Sequence, residues 1–269
     1  MKSLKEVAEQ VPVLRDMLAH RYDRIFEANR NAQLYRGVFE SYAEAAASSP
    51  APVVGYDQEG PAKMYAFLMN DVQLYDYAVL FWLQHACKSE RGLRLFDYGG
   101  HVGVKYYSFS NLLGFIDSWK VCDVPAVVRE GREIAKAHGA HNLSFTENFE
   151  EVGDYETLLC SGSLQYIEQP LYEKLAQLPP ARRPKHVLLN LIAFTANNEP
   201  EFYTLNSIGT AFCPYKVQNQ AAFTEGMAQV GYACRNSWEN PGRASHVPFQ
   251  HQRADFVYRG MYFCQNPQV

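Results

Sequence analysis

The sequence predicts an α/β fold: a parallel sheet wound on both faces by helices and closed by an antiparallel hairpin. Three observations carry this. Short apolar runs of strand length, Leu93 to Asp97, Trp119 to Asp123, Leu143 to Thr146, Thr157 to Ser161 and Val187 to Ile192, alternate with segments of helical character, the pattern of β-α-β units. The first run ends in a carboxylate and a glycine-rich turn, Phe96-Asp97-Tyr98-Gly99-Gly100-His101-Val102-Gly103. Glycines there let the chain turn tightly and let a ligand approach where a Cβ would clash. The last two runs, Tyr232 to Trp238 and Asp255 to Cys264, are separated by a polar Pro/Gly/His loop and no helix, so they pair antiparallel.

Taken in order, residues 4 to 47 read as two or three helices, with Leu14, Leu18, Ile25, Phe26, Leu34, Val38, Phe39 and Tyr42 at helical spacing. Ser48 to Pro52 breaks that pattern, and Val53 to Pro61 is a loop. Residues 1–60 are therefore expected as an N-terminal helical cap and 61–269 as the α/β domain. A long helix is expected from Met64 to Cys87, with Tyr65, Leu68, Val72, Tyr75, Val79 and Leu83 near one face. A helix should follow the glycine turn to about Leu113. Another should run from Pro125, where a missing N–H costs little at a helix start, to about His138. Leu164 to Leu178 reads as helical with a break near Pro170, and Phe223 to Val230 as a helix closed by Gly231. Asn197 to Val217 is long and irregular, the signature of a functional loop or lid.

At 269 residues the chain can bury a substantial core. A net charge of -4 and a pI near 6.1 give no electrostatic case for a nucleic acid or an anionic membrane surface. The six cysteines form no C-x-x-C pair and several lie in apolar runs, which reads as free thiols in a reducing cytoplasm. The first eighteen residues mix charge into apolar positions, an amphipathic helix rather than a signal peptide, and no apolar run is long enough to span a bilayer. His138 and His141, and His246 and His251, lack ligand-spaced carboxylates and read as solvated, so no metal is expected. Ser161-Gly162-Ser163 is not a nucleophile elbow. A cytoplasmic protein with a small-molecule partner and neither nucleic acid nor membrane is expected; the sequence fixes no oligomeric state.

Ligands of open α/β sheets bind beyond the carboxyl ends of the strands. Asp97, Gly99, Gly100, His101 and Gly103 follow the first strand, and Asp123 ends the second, about twenty residues beyond the last turn glycine, where a carboxylate can grip two ribose hydroxyls. The other reading of Asp123 is a helix cap ahead of Pro125. A dinucleotide fingerprint would not set Asp97 beside a pyrophosphate, which it would repel; beside an ammonium or sulfonium the same carboxylate is favourable. That points to S-adenosylmethionine (SAM) rather than NAD. The 18 tyrosines, 16 phenylalanines and 3 tryptophans suit a pocket that holds a cation against ring faces. Tyr106, Tyr166, Tyr203 and Tyr215 fall at loops or strand ends, and of these Tyr166 is favoured for function. His101 is a candidate base or a backbone cap.

The segments Asp97 to Gly103, Ser161-Gly162-Ser163-Leu164-Gln165-Tyr166-Ile167, Phe202 to Gly209 and Pro214-Tyr215 together make residues 64 to 264 resemble an uncharacterised bacterial group of class I SAM-dependent methyltransferases. The resemblance implies the Rossmann-like seven-stranded sheet with its terminal antiparallel hairpin. It implies Asp97, Gly99 and Gly100 at the methionyl end, Asp123 at the ribose, and Thr146, Asn148 and Phe149 beside adenine, with Gly103, Ser161 and Gly162 completing the cofactor site. Tyr166, His101, Tyr203 and Tyr215 are its candidate catalytic residues. The group also includes enzymes resembling azetidine-2-carboxylate synthases, which cyclise SAM and release methylthioadenosine. Methyl transfer, cyclisation and SAM binding without catalysis stay open. The chain departs from the pattern in having Asp rather than the commoner Glu at position 123, and in ending its fifth strand Asn190-Leu191-Ile192-Ala193 without a polar exit.

Overall fold

The computed structural model describes residues 12–87, 92–250 and 254–266. The part of the expected N-terminal amphipathic helix that precedes Pro12, and His251, lie outside them. Seven strands form the main sheet in the order β4-β3-β2-β5-β6-β10-β9. Their ranges are β2 Leu93–Tyr98, β3 Ile116–Cys122, β4 Leu143–Thr146, β5 Thr157–Ser161, β6 His186–Thr195, β9 Tyr232–Val247 and β10 Ala254–Gln265. The first five run parallel, and β10 lies antiparallel to both β6 and β9. The strand order reverses between β2 and β5, which makes their carboxyl ends the place for a ligand.

Side-chain alternation explains why helices cover both faces. In β5, Leu158 and Cys160 join one apolar cluster while Leu159 joins the other, as a two-residue period requires. The first cluster packs against α7 (Leu171–Ala176) and α8 (Gln220–Gln229) through Leu171, Leu175, Phe223 and Met227. The second packs against α4 (Tyr77–His85), α5 (Val104–Ser110) and α6 (Pro125–His138) through Leu83, Phe109 and Val128. Each such fully buried side chain contributes about 1.5–3 kcal/mol of apolar transfer free energy.

Five sequence expectations need correction. The N-terminal segment is not helical throughout: α1 (Pro12–Glu27) and α2 (Tyr42–Ala47) flank a strand, β1 (Ala32–Phe39). Gly37 at φ +75° and Gln33 at φ +65° are incompatible with a helix there, and β7 offers the segment a ladder of backbone partners. The lone helix over 64–87 is instead broken by two single 3-10 turns before α4 starts. Asp76 is responsible, because its carboxylate accepts the Gln73 N–H at 3.0 Å and begins a new helical start. The irregular segment 197–217 is mostly a hairpin, β7 (Phe202–Ile208) and β8 (Phe212–Val217), which completes a second antiparallel sheet β1-β7-β8. Finally, the fifth strand of the sequence reading does not stop at Ile192. It kinks at Leu191, a non-glycine residue at φ +54°, and continues to Thr195. A short helix, α3 (Glu59–Ala62), sits in the expected loop before Pro61 ends.

All six cysteines are free, four of them buried. No helix among the described residues is long and apolar enough to cross a membrane.

Candidate active site

A cavity of about 1000 Å³ lies over the carboxyl ends of β2, β3 and β5, roofed by residues 54–75 and by the β1-β7-β8 sheet. One end is built by the glycine turn. Gly99, at φ +73°, has no room for a side chain, since a Cβ would fall 2.2 Å from that of Ser163. Gly100 is needed for a different reason: its Cβ would fall 2.4 Å from Cγ of Asp97. The turn thus wraps the Asp97 carboxyl without touching it. Trp119 Nε1–H donates to Asp97 Oδ2 at 3.1 Å, and Oδ1 has no partner. Burial pushes this carboxyl up to about 7, against the pull of Trp119 and Lys105.

Asp123 braces the same turn from β3. Its Oδ2 accepts the His101 N–H at 2.9 Å and its Oδ1 the Val124 N–H at 2.8 Å. Burial raises it to about 6, less than Asp97 because both backbone donors favour the anion. The cap of α6 is Val124, not Asp123. His101 sits at φ +56° with its ring nearly buried. Its Nε2–H donates to the Pro61 carbonyl at 2.9 Å, leaving Nδ1 as an unpartnered acceptor. Burial holds the imidazole down at about 4, so it is neutral at ordinary pH. The ring caps the Pro61 carbonyl and so ties the glycine turn to α3.

The other end is a chamber of tyrosines. The Tyr166 ring stands nearly perpendicular to Tyr56 at 5.0 Å and to Tyr215 at 5.1 Å. The Tyr166 hydroxyl donates to Asn206 Oδ1 at 3.0 Å, and that amide is oriented because its Nδ2 donates to the Leu34 carbonyl at 3.0 Å. Tyr215, Tyr258 and Tyr35 link their hydroxyls at 2.7 and 2.9 Å. Burial raises Tyr166, Tyr215 and Tyr35 well above the usual range and raises Tyr258 as well, so these phenols stay protonated.

Most of the residues singled out from sequence meet in this cavity: Asp97, Gly99, Gly100, His101 and Asp123 at the turn, with Asn148 and Phe149 after β4. Ser161, Gly162, Tyr166 and Tyr215 line it too. Three do not. Gly103 caps α5 at φ +88°, and its missing Cβ makes room for Leu143 rather than for a ligand. Thr146 Oγ1 donates to Glu151 at 2.7 Å and accepts the Asn148 N–H, so it shapes the loop from behind. Tyr203 lies on β7 with the Lys216 ammonium 5.5 Å over its ring, outside the lining. Tyr106 packs on Tyr107 and Trp119 instead. Sequence reading missed Tyr56, Tyr258, Gln165 and Arg243 as lining residues. It placed Tyr65 and Tyr75 on one face, which is a usable signal. The missing polar exit of the fifth strand has an explanation: Asn190 is spent within the sheet, accepting from Asn240 at 2.9 Å and donating to the Tyr75 carbonyl at 3.1 Å.

No family model matches the chain, and no curated protein does. Solved structures do resemble it. A candidate sarcosine dimethylglycine methyltransferase from Galdieria sulphuraria superposes with a TM-score of 0.51 at 10% identity, over 77% of this chain and 99% of that one. The fold is that of a class I methyltransferase. A SAM-dependent methyltransferase from Thiobacillus denitrificans in complex with S-adenosylhomocysteine (TM-score 0.47, 11% identity, 76% and 97% covered) is also similar. So is CcbJ from Streptomyces caelestis (0.47, 13%, 79% and 100%). At these identities the likeness speaks to the methyltransferase fold, and the site must argue its own chemistry.

Proposed function

We propose that the chain binds SAM across the glycine turn and transfers its methyl group to a small molecule held in the tyrosine chamber. The observation that carries this reading is the unpartnered Oδ1 of the buried Asp97 carboxyl, behind a turn in which Gly100 has no Cβ over it. A buried carboxyl with one unpartnered oxygen and a raised pKa is further stabilised as an anion by an incoming cation or donor. The methionyl ammonium fits that need. Asp123 has two oxygens already accepting one N–H each, with lone pairs left for ribose hydroxyls. Asn148 and Phe149, next to Tyr98 at 4.7 Å, give a flat wall for adenine.

Bound SAM supplies an electrophilic carbon on a sulfonium, and in-line displacement there needs placement more than covalent help. The protein's part is positional. Tyr166 and Tyr215 present ring edges and faces to the reacting end, suited to a sulfonium, and Asn206 holds the Tyr166 hydroxyl in one orientation. His101 fixes the turn. The reading of residues 1–60 as a cap over an α/β domain of 61–269 is in keeping with this assignment, because Val54 to Asp57 line the cavity.

One observation favours a second reading, cyclisation of SAM to azetidine-2-carboxylate. Among the described lining residues the one histidine, His101, is tied to Pro61 and made a weak base by burial, and an aromatic chamber with so weak a base suits a substrate that brings its own amine as nucleophile. Incubation with SAM alone separates the two. Methylthioadenosine with a cyclic amino acid identifies cyclisation, whereas S-adenosylhomocysteine formed only with an added acceptor identifies methyl transfer. Absence of SAM and S-adenosylhomocysteine binding by calorimetry would remove both.

A further inference from the structure

The cavity's charges are unevenly placed. Of its five carboxylates, Asp97, Asp123, Glu147 and Glu150 belong to the glycine turn and to the strand ends and loops beside it, and Asp57, from the segment over the cavity, accepts the Ala126 N–H at the start of α6 at 2.8 Å. Of its cations, Lys105 is neutralised by both oxygens of Asp76, at 2.8 and 2.7 Å. Lys174 lies over Phe149 and Tyr98, at 5.2 and 5.8 Å, beside the proposed adenine wall. Arg243 is different. Its guanidinium lies 5.1 Å from the Tyr75 ring centre on the tyrosine side, and among the described residues no carboxylate pairs with it.

Its position is built. Arg243 follows Pro241, tolerated because β9 is an edge strand, and Gly242 at φ +69°. Three residues back, Asn240 is buried and locked to Asn190 and to the Leu191 N–H. This fastening brings the arginine to the rim of the tyrosine chamber. The guanidinium also reaches the Tyr75 hydroxyl, and a planar fork of five N–H donors has further donors to offer a planar anion.

We propose that Arg243, seated on Tyr75, is the carboxylate-recognising residue of the tyrosine chamber, so that the ligand filling that chamber carries a carboxylate. Arg243 is exposed at the rim, and a phosphate fits less well there because a single cation would leave a dianion half neutralised. The proposal rests on the SAM reading for its setting. The carboxylate belongs either to a separate acceptor or to the methionyl tail of SAM.

The test uses the full chain as wild type and as Arg243→Ala and Arg243→Lys, with circular dichroism to verify folding. Calorimetry compares SAM with decarboxylated SAM, and ligand-observed NMR compares benzoate with benzyl alcohol, with and without S-adenosylhomocysteine. A loss of tenfold or more for SAM in Arg243→Ala, with decarboxylated SAM unchanged, assigns the carboxylate to the methionyl tail. The same loss for benzoate with benzyl alcohol unchanged assigns it to a second molecule. Arg243→Lys should fall between, since an ammonium keeps charge but not the fork. If Arg243→Ala leaves both carboxylates within twofold, or if wild type prefers neither over its uncharged counterpart, the proposal is overturned. A wild type that binds benzoate through Arg243 but neither SAM nor S-adenosylhomocysteine would overturn the SAM reading alone.

Discussion

The backbone N–H of His101 donates to the Asp123 carboxylate at 2.9 Å, so the end of β3 holds the turn that leaves β2. One side chain thus serves structure and, in the proposed function, ribose binding. Asp123→Ala should reduce S-adenosylhomocysteine affinity by at least tenfold. It should also cost about 1–3 kcal/mol of stability, because a buried donor loses its acceptor and His101 must keep its left-handed backbone unaided. Asp123→Asn, which keeps one acceptor oxygen, should be intermediate. Calorimetry and denaturant melts measure both.

Asp97 and Asp123 are raised to about 7 and about 6 by burial, from an ordinary value of 3.8. Between about pH 4 and pH 7 the folded, ligand-free protein therefore holds protons that the unfolded chain has released. Stability without ligand should fall as pH rises through that window. Affinity for a cationic ligand should move the opposite way, rising with pH by up to about tenfold per unit below pH 7. Asp97→Asn should flatten both trends. Thermal melts and calorimetric titrations across pH 5 to about pH 8 read them out, and parallel slopes in wild type and variant would count against Asp97 as the titrating group.

Gly100→Ala places a methyl 2.4 Å from Cγ of Asp97. That carboxyl sits in a fully buried site and cannot swing into solvent. A loss of about 1–3 kcal/mol from overpacking is expected, together with loss of measurable SAM binding. Retained binding would show that the turn does not need the open space over Asp97.

Tyr166→Phe removes the donor to Asn206 Oδ1 and leaves that oxygen unpaired inside the fold, costing about 1–3 kcal/mol. The ring remains, so SAM affinity should change less than threefold while kcat falls more. Tyr166→Ala, which removes the ring, should lower kcat further. Unaltered turnover in both would take Tyr166 out of the site.

Lys105→Met strands the Asp76 carboxylate, which is wholly buried and bonded to Lys105 through both oxygens. A stability loss of about 3–5 kcal/mol is expected from the uncompensated charge. The double variant Lys105→Met, Asp76→Asn should recover part of it in urea melts.

Much of the glycine-turn end is legible because its signals are local. A strand-length run, a carboxylate and glycines without room for a Cβ lie within eight consecutive residues, Phe96 to Gly103. The distance along one β-α-β unit brings Asp123 to the same cavity wall. The errors at this end are also local in kind: Gly103 and Thr146 serve packing and loop shape one layer behind the cavity.

The amino-acid order alone determined the alternating α/β sheet, its closing hairpin and the acidic, glycine-lined turn, because strand and helix periodicity and turn chemistry act over a few residues. Only the tertiary structure decided the tyrosine chamber. Tyr56, Tyr166, Tyr215 and Tyr258 come from four distant segments, and β1, read as helix from its own spacing, becomes a strand because β7 supplies its hydrogen bonds. Such long-range pairings satisfy backbone and hydroxyl groups across the chain, and no local pattern in the sequence encodes which partners will meet.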